Sequence, residues 1–205
     1  MPDKYCIIIA SEMEARSFIQ RFPSGPIFKN GTISFYEGDE YDLLICGIGL
    51  INCSYALGLI ADRSHKYYLN LGIAGGLSNE LKIGEIIEVG QCHSAHIKHP
   101  FLHHLNAFKW GPGKTITSAG MAIHDKKAKE ELGQNAELVD MEAFAIATCA
   151  YYAKTPLLML KAISDNADKE DTKDIIKRIP ELMNSLWERY AKLNMEPGIV
   201  SAVKV

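Results

Sequence analysis

The sequence predicts an α/β layer fold, one domain over residues 1–205, and three observations carry that prediction. Short apolar runs alternate along the chain with longer segments of helical period. Small and polar residues close several of the apolar runs, as turns at strand ends do. The chain has 205 residues, 47% hydrophobic and 23% charged, enough to bury one core and ordinary for a globular protein. Strands that alternate with helices build a largely parallel sheet.

Each element has its own signal. "YCIIIA" reads as a fully buried strand, and "EMEARSFIQRF" as an amphipathic helix that leaves it. "TISFYEG" and "YDLLICG" form a hairpin around the acidic turn between them. "LINCSYALGLIADR" is a helix, and "KYYLNLG" a strand that runs into the small-residue loop "IAGG". "IGEIIEVG" and "KTITSAG" are further strands, followed by the exposed helix "HDKKAKEELGQ" and the short extended "AELVD". "MEAFAIATCAYYA" is apolar nearly all round, which marks a buried helix. "TPLLMLKAIS" is the last strand, and Asp171 to Leu193 is helical with a break at Pro180. The tail from Met195 is weakly patterned, and no repeat, low-complexity tract or linker stands out.

Composition excludes several classes. The net charge is −3 without a basic block, which argues against nucleic acid or an anionic membrane as partner. The apolar runs are too short to span a bilayer. Acids follow the first apolar stretch at once, the wrong pattern for a signal peptide. Five cysteines without a C-x-x-C pair suit buried thiols in a reducing cytoplasm.

In open α/β sheets ligands sit beyond the carboxyl ends of the strands, so the polar residues there carry the functional signal. "ASEMEA", "NLGIAGG", "VDMEAFA" and "ISDNAD" are four such ends, and Glu14, Glu142 and Asp165 could converge from them. Two of these acids lie in apolar sequence, where a lone carboxylate is costly without a partner or ligand. Plainer readings stand beside this one: Glu14 as a solvated first-turn acid, Glu142 as a helix-start cap, Asp165 as a turn residue. "GIGLIN" is a weak dinucleotide match, with Asn52 where a third glycine belongs. His93, His96, His99, His103 and His104 invite a zinc reading, but Pro100 interrupts the helix their spacing needs. Ser118 lacks the elbow of a nucleophilic serine.

Taken together, "IIIASEMEA", "CGIGLINCSYA", "NLGIAGGL", "IGEIIEV", "VDMEAFAIA" and "KAISDNAD" occur in the order and spacing of one family. The chain resembles the purine nucleoside phosphorylase and nucleosidase superfamily, above all its 5′-methylthioadenosine/S-adenosylhomocysteine nucleosidase branch, from about Tyr5 to Leu193. The resemblance implies a three-layer α/β sandwich with a central mixed, mostly parallel sheet. It implies hydrolysis of a 5′-modified purine nucleoside without a cofactor or metal, by a cytoplasmic homodimer. By the same resemblance Asp165 protonates the purine at N7, with Ser164 orienting it, and burial would raise the acid's pKa. Glu142 accepts hydrogen bonds from the ribose hydroxyls and its charge favours the cationic sugar. Met141 packs on sugar or base, Glu14 activates the water, Gly75 and Gly76 allow close backbone approach, and Ile123 lies beside the base.

Three features depart from the family's pattern. Ala122 stands where an aromatic ring usually stacks on the purine, and Ile73 where the branch often has serine. Between Val89 and Ser118 the chain is short by a helix and rich in histidine. Alternatives therefore stay open at this stage: a futalosine hydrolase, a phosphorylase that uses phosphate, or a nucleoside-binding protein without turnover.

Overall fold

The computed structural model describes residues 4–98, 106–169, 171–193 and 202–204. In chain order the elements are β1 (Tyr5–Ile9), α1 (Arg16–Ile19), β2 (Phe28–Asn30), β3 (Ile33–Tyr36), β4 (Tyr41–Ile45), α2 (Leu50–Leu59), β5 (Tyr68–Gly76) and β6 (Ile86–Ser94). There follow β7 (Ala107–Lys109), β8 (Lys114–Ser118), α3 (Lys126–Gly133), β9 (Leu138–Asp140), α4 (Ala143–Ala153), β10 (Leu157–Asp165) and α5 (Thr172–Leu193).

All ten strands belong to one sheet. β5 organises it, pairing in parallel with β1 through Tyr68 to Asn70 and with β10 along Tyr68 to Gly75. Its end turns antiparallel to β9, Gly75 opposite Val139. β9, β8, β6 and β10 then pair in succession back to β5, so five strands close a ring. On the other side β1 carries β4, β3 and β2. The sheet is mixed but not mostly parallel: among the described residues five strand pairings are parallel and five antiparallel. Closing the ring is what reverses several of them.

Both faces of the sheet are buried, so its strands are apolar at successive positions instead of alternate ones. On β1, Cys6 and Ile8 join a cluster with Cys53, Ala56 and Leu57 of α2 and Ala143, Ile146 and Ala150 of α4. Ile7 and Ile9 face the other way, with Phe18 of α1 and Ile179, Leu182, Met183 and Leu186 of α5.

Three local expectations are corrected, and two strands come without one. The helix expected from Glu12 to Phe22 shrinks to Arg16–Ile19, because Glu14 is drawn into hydrogen bonds at the sheet. "IAGG" is strand and not loop, since β5 runs on through Gly76. α5 passes through Pro180 unbroken. β2 and β7 had no distinct signal in the sequence. His99, His103, His104 and most of the tail lie outside the described residues.

Candidate active site

One cavity of about 390 Å³ opens where β1, β5, β9 and β10 end, walled by Glu14, Ile73, Gly75, Ile123, Met141, Glu142, Ser164 and Asp165. Eight of the nine residues expected to line a site therefore face the same space. Gly76 does not line it.

Glu14 is buried, and each of its oxygens has a donor. Ser11 Oγ donates to Oε2 at 2.7 Å and Ile73 N to Oε1 at 3.2 Å. Ile73 thus serves through its backbone, which its side chain does not alter. Burial raises the pKa of Glu14, partly opposed by Ser11 and by the Lys161 ammonium.

Glu142 opens α4 but does not cap it. Asp140 does so, accepting from Ala143 N at 3.0 Å on Oδ2, while Ser118 Oγ accepts from Phe144 N at 2.9 Å. With the cap supplied elsewhere, Glu142 is left for the cavity, its Oε1 held by Gly49 N at 2.6 Å. Burial, and then the neighbouring Asp140, push its pKa up to about 8. Glu142 therefore holds a proton more readily than a free glutamate does. Ser118 also donates to Asp140 Oδ1 at 2.7 Å, so its hydroxyl is engaged in structure.

Asp165 is half-buried at the end of β10 rather than enclosed. Ser164 Oγ donates to its Oδ2 at 2.6 Å and Ala167 N to its Oδ1 at 2.7 Å. Ala167 adopts a left-handed φ of 52°, uncommon for a residue other than glycine, and that turn aims its N–H at the carboxyl. A Cβ on Gly75 would lie 3.1 Å from Asp165 Oδ1 and 3.0 Å from Ala167 Cβ. The space that Gly75 leaves open is thus occupied by the acid.

Two residues were missed in the sequence, Lys161 and its partner Asp140. Lys161, 2% exposed, puts Nζ 2.9 Å from Asp140 Oδ2. Burial pulls its pKa down, but Asp140, Glu142 and Glu14 outweigh that and raise it, so the ammonium stays charged. Among the described residues it is the one buried lysine, paired with Asp140 of the cavity wall. A lysine inside "PLLMLKAIS" was the available signal. Among the described residues no group of three or more His, Cys, Asp or Glu side chains is placed to hold a metal ion.

The ring-closed sheet thus carries a carboxylate-lined cavity at its strand ends in a mixed α/β fold. The family model of the phosphorylase superfamily matches residues 112–192. Relatives by sequence are 5′-methylthioadenosine/S-adenosylhomocysteine nucleosidases. That of Bacillus subtilis (strain 168) is 28% identical over 170 residues, covering 68% of this chain and 74% of the relative. That of Listeria monocytogenes (strain HCC23) is 28% identical over 204 residues, covering 81% and 88%. Among solved structures, the nucleosidase of that name from Helicobacter pylori superposes with a TM-score of 0.82 at 19% identity, over 96% of this chain and 99% of that one. Futalosine hydrolase from the same organism gives 0.81 at 20% identity, over 95% and 98%.

Proposed function

We propose that the protein is a purine-nucleoside N-ribosyl hydrolase that cleaves the N-glycosidic bond of a 5′-modified nucleoside, of the 5′-methylthioadenosine/S-adenosylhomocysteine type, to free base and sugar. One observation carries the reading. Glu14, Glu142 and Asp165 converge on one cavity whose described wall contains no lysine or arginine. A phosphorylase must hold a phosphate dianion beside the sugar, which calls for guanidinium or ammonium groups. A wall of carboxyls repels that dianion and suits water.

The roles follow from placement. Asp165, at the lobe formed by Ala122, Ile123 and Val139, gives a proton to purine N7 as the C–N bond breaks, so the base leaves neutral. Glu14, whose raised pKa brings its basicity toward neutrality, takes a proton from the attacking water. Glu142 binds the ribose diol, and the cationic sugar that develops favours its ionised form. Lys161 offsets the accumulated negative charge. Met141 packs on the sugar, and the apolar rim of Met13, Ile48 and Ile176 suits an alkylthio substituent.

The reading extends to the whole molecule: a single domain of three layers, with the sheet between α2/α4 and α1/α5. All five cysteines are free thiols, in keeping with a cytoplasmic enzyme. Ile51 and Tyr55 are 86% and 51% exposed on the outer face of α2, which favours a homodimer. Sedimentation equilibrium that returns only a monomer would remove the dimer. Incubation with a panel of purine nucleosides, with and without phosphate, tests the activity. Base released at the same rate in both supports hydrolysis, and the absence of release from every nucleoside contradicts it.

A further inference from the structure

β10 and β5 keep a regular register from Leu157 to Ile163, which lies opposite Ala74; then Asp165, not Ser164, lies opposite Gly75. Ser164 is a bulge. It has no partner in the ladder to β6 either, where the pairing covers Met159 to Ala162. In an unbroken strand residues two apart face the same side. Here Ile163 is fully buried in the core while Asp165 opens on the cavity. A bulge re-aims the side chain beside it, and this one turns the carboxyl toward the base lobe.

The bulge leaves the Ser164 carbonyl outside both ladders, and Arg178 Nη1 donates to it at 2.9 Å. Arg178 is half-buried on α5, on the stretch whose Ile175, Ile176 and Ile179 line the same cavity. The bulged residue is thus held on two sides: its hydroxyl bonds Asp165, and its carbonyl is fixed to the helix that walls the mouth.

We propose that Arg178 is a positioning residue for the reaction: by fixing the Ser164 carbonyl it holds the β10 bulge and so keeps Asp165 aimed at the purine. This rests on the hydrolase reading above. Without the guanidinium the bulge can relax toward regular pairing, which swings the acid off its line to N7. The loss falls on leaving groups that need a proton and spares those that do not.

The test compares Arg178→Met and Arg178→Lys with the wild type on 5′-methylthioadenosine and on 4-nitrophenyl riboside, whose phenolate leaves unprotonated. Arg178→Met should lower kcat on the purine nucleoside by roughly 10- to 100-fold, the scale of a misplaced general acid. Hydrolysis of the nitrophenyl riboside should change by less than about 2-fold, and lysine, which can donate to the same carbonyl, should recover part of the loss. Equal losses on both substrates, a change in KM alone, or no loss would overturn the proposal. If Arg178→Met fails to fold by circular dichroism, Arg178→Lys is scored alone, a selective purine loss supporting and an unchanged substrate ratio overturning it. A wild type that cleaves neither substrate would sink the hydrolase reading and this proposal with it. A wild type that cleaves both, with an unchanged ratio in the variants, removes only Arg178.

Discussion

At the scale of single residues, environment separates three carboxyls that look alike in sequence. Asp165 is half-buried and clasped by Ser164 and Ala167, which fixes its direction. Asp165→Asn should fold normally and lose roughly 10²–10⁴-fold in turnover of a purine nucleoside, the usual range for a general acid. The nitrophenyl riboside should be hurt far less, and equal losses would strip Asp165 of the role. Glu142 is perturbed in a way that stability can report. Its pKa is about 8 in the folded protein against an ordinary 4.5, so the folded state binds the extra proton between those values. Stability from this group is full below the lower value and is lost as pH rises through the upper one. Glu142→Gln cannot titrate. Its melting temperature relative to wild type should therefore climb between about pH 5 and about pH 8. A flat difference across that window would place the proton elsewhere.

Elements show how far the sequence could be read. Buried strands announced themselves through β-branched runs such as "CIII", and α4 through its apolar circumference. α1 misled because the period of "EMEARSFIQRF" records two burials at once, Phe18 against α5 and Glu14 against β5. The end of β5 misled because two glycines resemble a loop, although Gly75 and Gly76 pair with β9. Pro180 removes one helical N–H, a local cost of about 3 kcal/mol that leaves α5 continuous, since Ile179, Leu182, Met183 and Leu186 anchor it on both sides. The convergence of the three carboxyls on one cavity was legible, but the Lys161–Asp140 pair was not. β10 and β9 are not neighbours in the sheet; only closure of the ring sets their side chains face to face. The end of β5 yields a paired prediction. Gly75→Ala puts a Cβ 3.1 Å from Asp165 Oδ1, whereas at Gly76 the nearest atoms are 3.5 Å away. Gly75→Ala should slow purine release roughly 10-fold, about 1.4 kcal/mol of barrier, and Gly76→Ala should do little. Similar rates for both would mean that the acid moves freely.

Across the whole molecule, ring closure and charge act together. Bringing β5, β9 and β10 to one opening concentrates Glu14, Asp140, Glu142 and Asp165 around a single cavity, with the buried Lys161 paired to Asp140 but not lining it. That distribution makes water, not phosphate, the partner that fits, and it is the centre of the account. The most direct measurement follows the sugar: 5′-methylthioadenosine is turned over in phosphate-free H2(18)O, and the ribosyl product is weighed by mass spectrometry as soon as base appears. The account predicts free 5′-methylthioribose with one heavy oxygen at C1, formed at a rate that added phosphate does not raise. A sugar 1-phosphate formed only when phosphate is supplied, with no heavy oxygen taken from solvent, would contradict it.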